Sequence, residues 1–186
     1  MFLKIKTFFN NHKQDIREYA ESLLIAFVLA MVIRAFVVQA FKIPTGSMIP
    51  TLIEEDRILV NKFIYWFRPP ERGEVIVFKY PEDTSLAFIK RLIGCAEEEL
   101  EIKNGKIFIN NEKILNTKIN SRFYYNRGDF GGIDQKIKIP KDALYVLGDN
   151  SNNSRDSRYW GFVPKKNLIG KAILIYWPLQ RMRLIE

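Results

Sequence analysis

The chain has 186 residues, 47% of them hydrophobic and 13% aromatic, enough for one domain of ordinary size with a core of its own and a small extra lobe. Its formal charge of +8 raises nucleic acid, anionic lipid and acidic substrates as partners. Nucleic acid is set aside, because no basic stripe or aromatic platform pattern accompanies the charge, and membrane lipid needs the fewest further assumptions. A single cysteine, Cys95, excludes an intrachain disulfide and a cysteine-based metal cluster, and neither cofactor nor metal is expected.

Residues 1–22 carry Lys4, Lys6, Lys13 and Arg17 ahead of the run "LLIAFVLAMVIRAFVVQAF", Leu23 to Phe41, which only Arg34 and Gln39 interrupt. As a helix this run spans roughly 28 Å, close to the hydrocarbon thickness of a bilayer. The reading is one transmembrane anchor over 23–41. A buried helix of a soluble domain lacks support in a segment with so little polar face. A cleaved leader ending near Val37–Ala40 is the other alternative, against which stand a long, partly acidic n-region and an apolar run above the usual length. The flanking positive charge puts residues 1–22 in the cytoplasm and residues 42–186 outside, a single-pass protein of the plasma membrane.

Beyond residue 42 the pattern becomes short β-rich runs between turn residues: "RILVNKF", "EVIVFKY", "AFIKRLI", "ALYVL" and "KAILIYW". In "ELEIKNGKIFINNEKIL", Asn104-Gly105 and Asn110-Asn111 offer the left-handed conformers of two-residue hairpins, facing Leu100 to Ile109 and Ile102 to Ile107. Residues 116–134, rich in Gly and Asn, read as loop, and residues 97–139 as a small β lobe. The fold expected is therefore mainly β, an antiparallel sheet domain preceded by one transmembrane helix. The aromatic run Phe63–Phe67 is equally readable as lipid-facing surface or as core.

Three stretches carry chemistry. In "IPTGSMIPT" two prolines restrict the backbone and Gly46 permits close approach, so Ser47 is presented in a fixed pose with amides nearby, which suits acyl transfer as well as it suits a plain turn. The only histidine, His12, lies on the other side of the anchor from Ser47, so a Ser-His-Asp triad is excluded and a lysine must serve as base. Such a lysine has to be buried to be neutral near pH 7, and Lys90, Lys62 and Lys79 all lie in strand-like runs. Finally "GDNSNNSRDSRYWG", Gly148 to Gly161, is polar enough to form an ordered network of Asx-turns and Asp/Arg pairs.

Together "IPTGSMIPTL", "EEDRILVNKF", "RGEVIVFKYP" with "FIKRLIG", and "GDNSNNSRDSRYWGFVP", in this order behind an N-terminal anchor, resemble the successive conserved boxes of bacterial type I signal peptidases. The resemblance implies a membrane-anchored serine endopeptidase that cleaves signal peptides from exported preproteins after a small residue. It implies Ser47 as nucleophile and Lys90 as general base, with Thr45 and the Ser47 N–H forming the oxyanion hole. Ser154 would orient the Lys90 amine, Asp156 and Arg158 would hold the polar loop, and Met48 would line the pocket for the small side chain. A Ser-Lys peptidase dedicated to one partner and a catalytically silent tethered β-domain are the alternatives. Two departures stand out: "CAEE" follows "RLIG" where the family usually has a Leu-Pro-Gly-Asp type turn, and "EEDR" replaces a frequent Glu-Gly-Asp-Arg.

Overall fold

A computed structural model describes residues 13–32 and 37–185. His12, Lys4, Lys6 and Arg34 lie outside the described residues. The chain divides into two units, residues 1–38 and residues 39–186. In the first, α1 runs Lys13–Val32 with its described side chains exposed. Among the described residues no helix is long and apolar enough to cross a membrane. The run 23–41 is not helical throughout: α1 is described over Lys13–Val32, and Val38–Lys42 form strand β1. Val37, Val38 and Phe41 are β-prone residues, and the strand bond available beside β2 wins over the helical continuation that apolarity alone suggests.

The second unit is antiparallel β. Its strands after β1 are β2 (Arg57–Asn61), β3 (Val75–Lys79), β4 (Ala87–Gly94), β5 (Glu99–Lys103), β6 (Lys106–Ile109), β7 (Glu112–Lys113), β8 (Lys136–Lys138), β9 (Ala143–Leu147), β10 (Val163–Pro164), β11 (Leu168–Trp177) and β12 (Arg183–Leu184). Two short helices, α2 (Thr117–Asn120) and α3 (Ser157–Trp160), interrupt the loops. One sheet has the order β1-β2-β11-β3-β4-β9-β10, with β12 on β11; the other is β7-β6-β5-β8.

The hairpin signals are realised residue by residue. Asn104 and Gly105 take φ of 50° and 72°, Asn110 and Asn111 take 51° and 69°, and Leu100 pairs with Ile109 and Ile102 with Ile107. The second sheet does not have a core to itself. Leu100, Ile102, Ile107 and Ile137 pack in one cluster with Ile93 of β4 and Tyr145 and Leu147 of β9, so its apolar face closes on the end of the larger sheet.

A second cluster, with Met48, Leu52, Ile58, Val60, Val75 and Val77, fills the space beneath the Ser47 turn. That turn and β4 are thus both seated on well-packed apolar floor, which fixes where their polar side chains emerge.

Candidate active site

Thr45 is extended, with φ −138° and ψ 153°, and the chain then tightens into a 3-10 turn over Gly46–Met48. Pro44 and Pro50 bracket this turn, and the far loop clamps it: the Asn150 N–H donates to the Ser47 carbonyl at 3.1 Å and Asn150 Nδ2 donates to the Gly46 carbonyl at 3.0 Å. Gly148, two residues earlier, has no room for a side chain. A Cβ there would collide with Ser154 Oγ and stand 2.6 Å from the Ser47 carbonyl oxygen.

Lys90 reaches the turn from β4, where it pairs with Ile76 of β3. Its Nζ lies 2.7 Å from Ser47 Oγ, and both residues are buried, 5% and 7% exposed. Burial lowers the Lys90 pKa from 10.5 to about 8, against the opposing charges of Asp156 and Asp149. Phe88, stacked on Tyr80, adds an aromatic face 5.7 Å from Nζ. The other two lysines offer no such environment: Lys79 is exposed and Lys62 half-buried.

Thr45 Oγ1 lies 3.4 Å from Ser47 Oγ, so its hydroxyl stands at the mouth of the same site. Asp156 caps α3 and accepts from the Gly148 N–H at 3.0 Å and from Arg158 Nε at 2.8 Å. Arg158, fully buried, also donates to the carbonyls of Tyr125, Ser151 and Ser154 and to Ser151 Oγ. The pair thereby ties the loop 148–158 into one piece. Ser154 is buried beside Gly148, but its Oγ has no hydrogen-bond partner and does not bond Lys90 in this structure.

A cavity of about 460 Å³ opens over the pair, lined by Pro44, Thr45, Gly46, Phe88 and Ile89 with Glu54 and Arg155 at its charged margins. Strand β9 pairs with β4 only from Arg91 onward. Residues Ala87–Ile89 are bonded to β3 on one side, and their other edge faces this cavity without a strand partner among the described residues.

Residues 16–177 match the family described as signal peptidase, peptidase S26. The chain belongs to this family. A signal peptidase I from Leptolyngbya laminosa is 42% identical over 165 residues, covering 85% of this chain and 78% of that protein. A probable signal peptidase I-2 from Synechocystis sp. is 40% identical over 174 residues, covering 90% and 76%. Signal peptidase I P of Bacillus subtilis subsp. natto is 35% identical over 181 residues, covering 92% and 94%.

Met48 is fully buried and packs in the core cluster beneath the turn. The two departures in sequence also become concrete. Glu55 and Glu97 adopt φ of 70° and 67°, the left-handed backbone that glycine adopts freely. In the second turn Glu98 accepts from the Cys95 N–H at 2.6 Å and pairs with Arg72 at 2.5 Å, closing the loop without proline or glycine.

Sequence reasoning missed Asn150 and Arg91. Both sat in quoted stretches, but a clamp through a backbone carbonyl has no residue-type signature. Arg91 follows Lys90 on the opposite face of β4 and grips the buried Asp149 with Nε and Nη2 at 2.8 and 2.7 Å.

Proposed function

We propose that this chain is a membrane-anchored Ser-Lys endopeptidase that removes signal peptides from exported preproteins. The observation that carries this reading is the buried 2.7 Å approach of Lys90 Nζ to Ser47 Oγ. In the neutral form, Lys90 takes the Ser47 hydroxyl proton as Oγ attacks the scissile carbonyl. The oxyanion that forms is met by the Ser47 N–H and the Thr45 hydroxyl. Protonated Lys90 then returns the proton to the departing amine, and water admitted to the acyl-enzyme repeats the sequence to free Ser47. Rotation of the unpartnered Ser154 hydroxyl toward Lys90 would orient the amine, while Asp156 and Arg158 keep the supporting loop in place.

Substrate recognition follows from the cavity. An extended peptide adds to the open edge of Ala87–Ile89 as a strand, which reads backbone and leaves specificity to shallow apolar pockets. Small side chains near the cleavage point fit such pockets. Residues 1–22 are assigned to the cytoplasm, the apolar run from Leu23 up to strand β1 to the anchor, and the sheet-forming part of the chain to the outer face, with 97–139 as a β lobe. Trp66 and Phe67, 66% and 73% exposed, suit contact with the lipid interface.

The test is substrate range. The full chain in detergent should cleave several unrelated preproteins after a small residue. Cleavage of one protein alone would favour the dedicated peptidase, and cleavage of none the silent domain.

A further inference from the structure

The cavity over the Ser47–Lys90 pair carries one charge that the chain does not match. Glu54, Glu55 and Asp56 are three acids in a row. Glu55 pairs with Lys42 at 2.7 Å, and Asp56 accepts from Arg181 Nε and Nη2 at 2.8 and 3.0 Å. Glu54 alone of the three lines the cavity, and its carboxylate has no ion pair or hydrogen bond among the described residues. It stands beside the nucleophile turn: a Cβ built on Gly46, the residue before Ser47, would lie 3.6 Å from Glu54 Oε1. The backbone that carries it is held on both sides. The Glu55 N–H donates to the Ile43 carbonyl at 2.9 Å, the Ile43 N–H donates to the Asp56 carbonyl at 2.9 Å, and the Ile53 N–H donates to Asp56 Oδ2 at 3.0 Å.

The other charged groups on the wall do not offset Glu54. Arg155 has Glu82 3.7 Å away, and Lys90 is neutral in the form that acts as base. The rest of the lining includes Pro44, Ala87, Phe88 and Ile89, and a charge beside apolar walls acts on a bound peptide more strongly than one on open surface. A peptide laid along Ala87–Ile89 with its scissile carbonyl at Ser47 brings the side chains around its cleavage point into this field. We propose that Glu54 is a specificity-determining residue, which favours substrates with a basic side chain beside the cleavage point and disfavours those with an acidic one. The inference rests on the endopeptidase reading above and adds to it a charge preference at the residues around the small one.

The test is a set of peptide pairs cleaved by the full chain in detergent at low ionic strength, where screening is weakest. The two members of a pair differ in one residue, Lys or Glu, placed just before the small residue or at the first or second position after the scissile bond. The native chain should show a kcat/KM at least threefold higher for the Lys peptide at one or more of these positions. At that position Glu54→Gln should lower the Lys-to-Glu ratio at least threefold. Glu54 is exposed and unpartnered, so the substitution leaves the fold intact, and a general loss of activity divides out of the ratio. A native ratio below threefold at all three positions, or a smaller fall in the variant, would overturn the proposal while leaving the peptidase reading in place. Failure of the native chain to cleave any of the peptides would overturn both.

Discussion

Lys90 Nζ and Ser47 Oγ meet at 2.7 Å inside a site where Lys90 is 5% exposed. Burial brings the amine down to about 8 from 10.5, so its neutral form is populated near physiological pH. Cleavage rate, read as kcat/KM, should rise with pH through about 8 and level off above it. A rising limb centred near the ordinary lysine value would show that the working base is solvated. The same shift bears on stability with a defined sign. Because the folded-state pKa lies below the unfolded one, the unfolded chain binds the extra proton between about 8 and 10.5, and stability gains from Lys90 as pH rises across that window.

Asp156 and Arg158 are both fully buried and bonded to each other. Arg158→Ala leaves a buried carboxylate without its cation and removes donors from three carbonyls. It should destabilise the fold by about 3–5 kcal/mol, measured by urea unfolding. Asp156→Asn keeps the size and part of the hydrogen bonding, and a smaller loss is expected.

Gly148→Ala should reduce cleavage more than it reduces stability. The added methyl collides with Ser154 Oγ and the Ser47 carbonyl, so the turn that carries the nucleophile has to move. A displacement of this kind at a reacting group costs on the order of 100-fold in rate. Cleavage at the native level would mean that the loop yields without disturbing Ser47.

Glu97→Gly and Glu55→Gly should each stabilise the chain by about 1 kcal/mol, because both glutamates occupy left-handed backbone. The exposed Lys42–Glu55 pair at 2.7 Å offsets little of this for Glu55. Thermal unfolding of the two variants checks it; a fall in the midpoint for Glu97→Gly would show that its side chain does more in the turn than its backbone costs.

Local signals in the sequence carried far. The Asn104-Gly105 and Asn110-Asn111 turns fixed register down to the pairing of Leu100 with Ile109, because hairpin loops that short leave no freedom of register. Lys90 was one of three lysines in β-rich runs, and alternation alone could not say which would be buried; that depends on β9 covering β4 from Arg91 onward while leaving Ala87–Ile89 open. At residues 38–41 apolar content masked β-propensity, since an edge strand and a membrane helix are equally served by Val and Phe.

The dyad is tested most directly by the cleavage rate of a preprotein with Lys90→Ala, beside Ser47→Ala, in full chains whose folded state is verified by circular dichroism. The account predicts that each substitution abolishes cleavage while the domain stays folded. Near-native cleavage by folded Lys90→Ala would contradict the Ser47–Lys90 assignment, and by Ser47→Ala the serine peptidase reading itself.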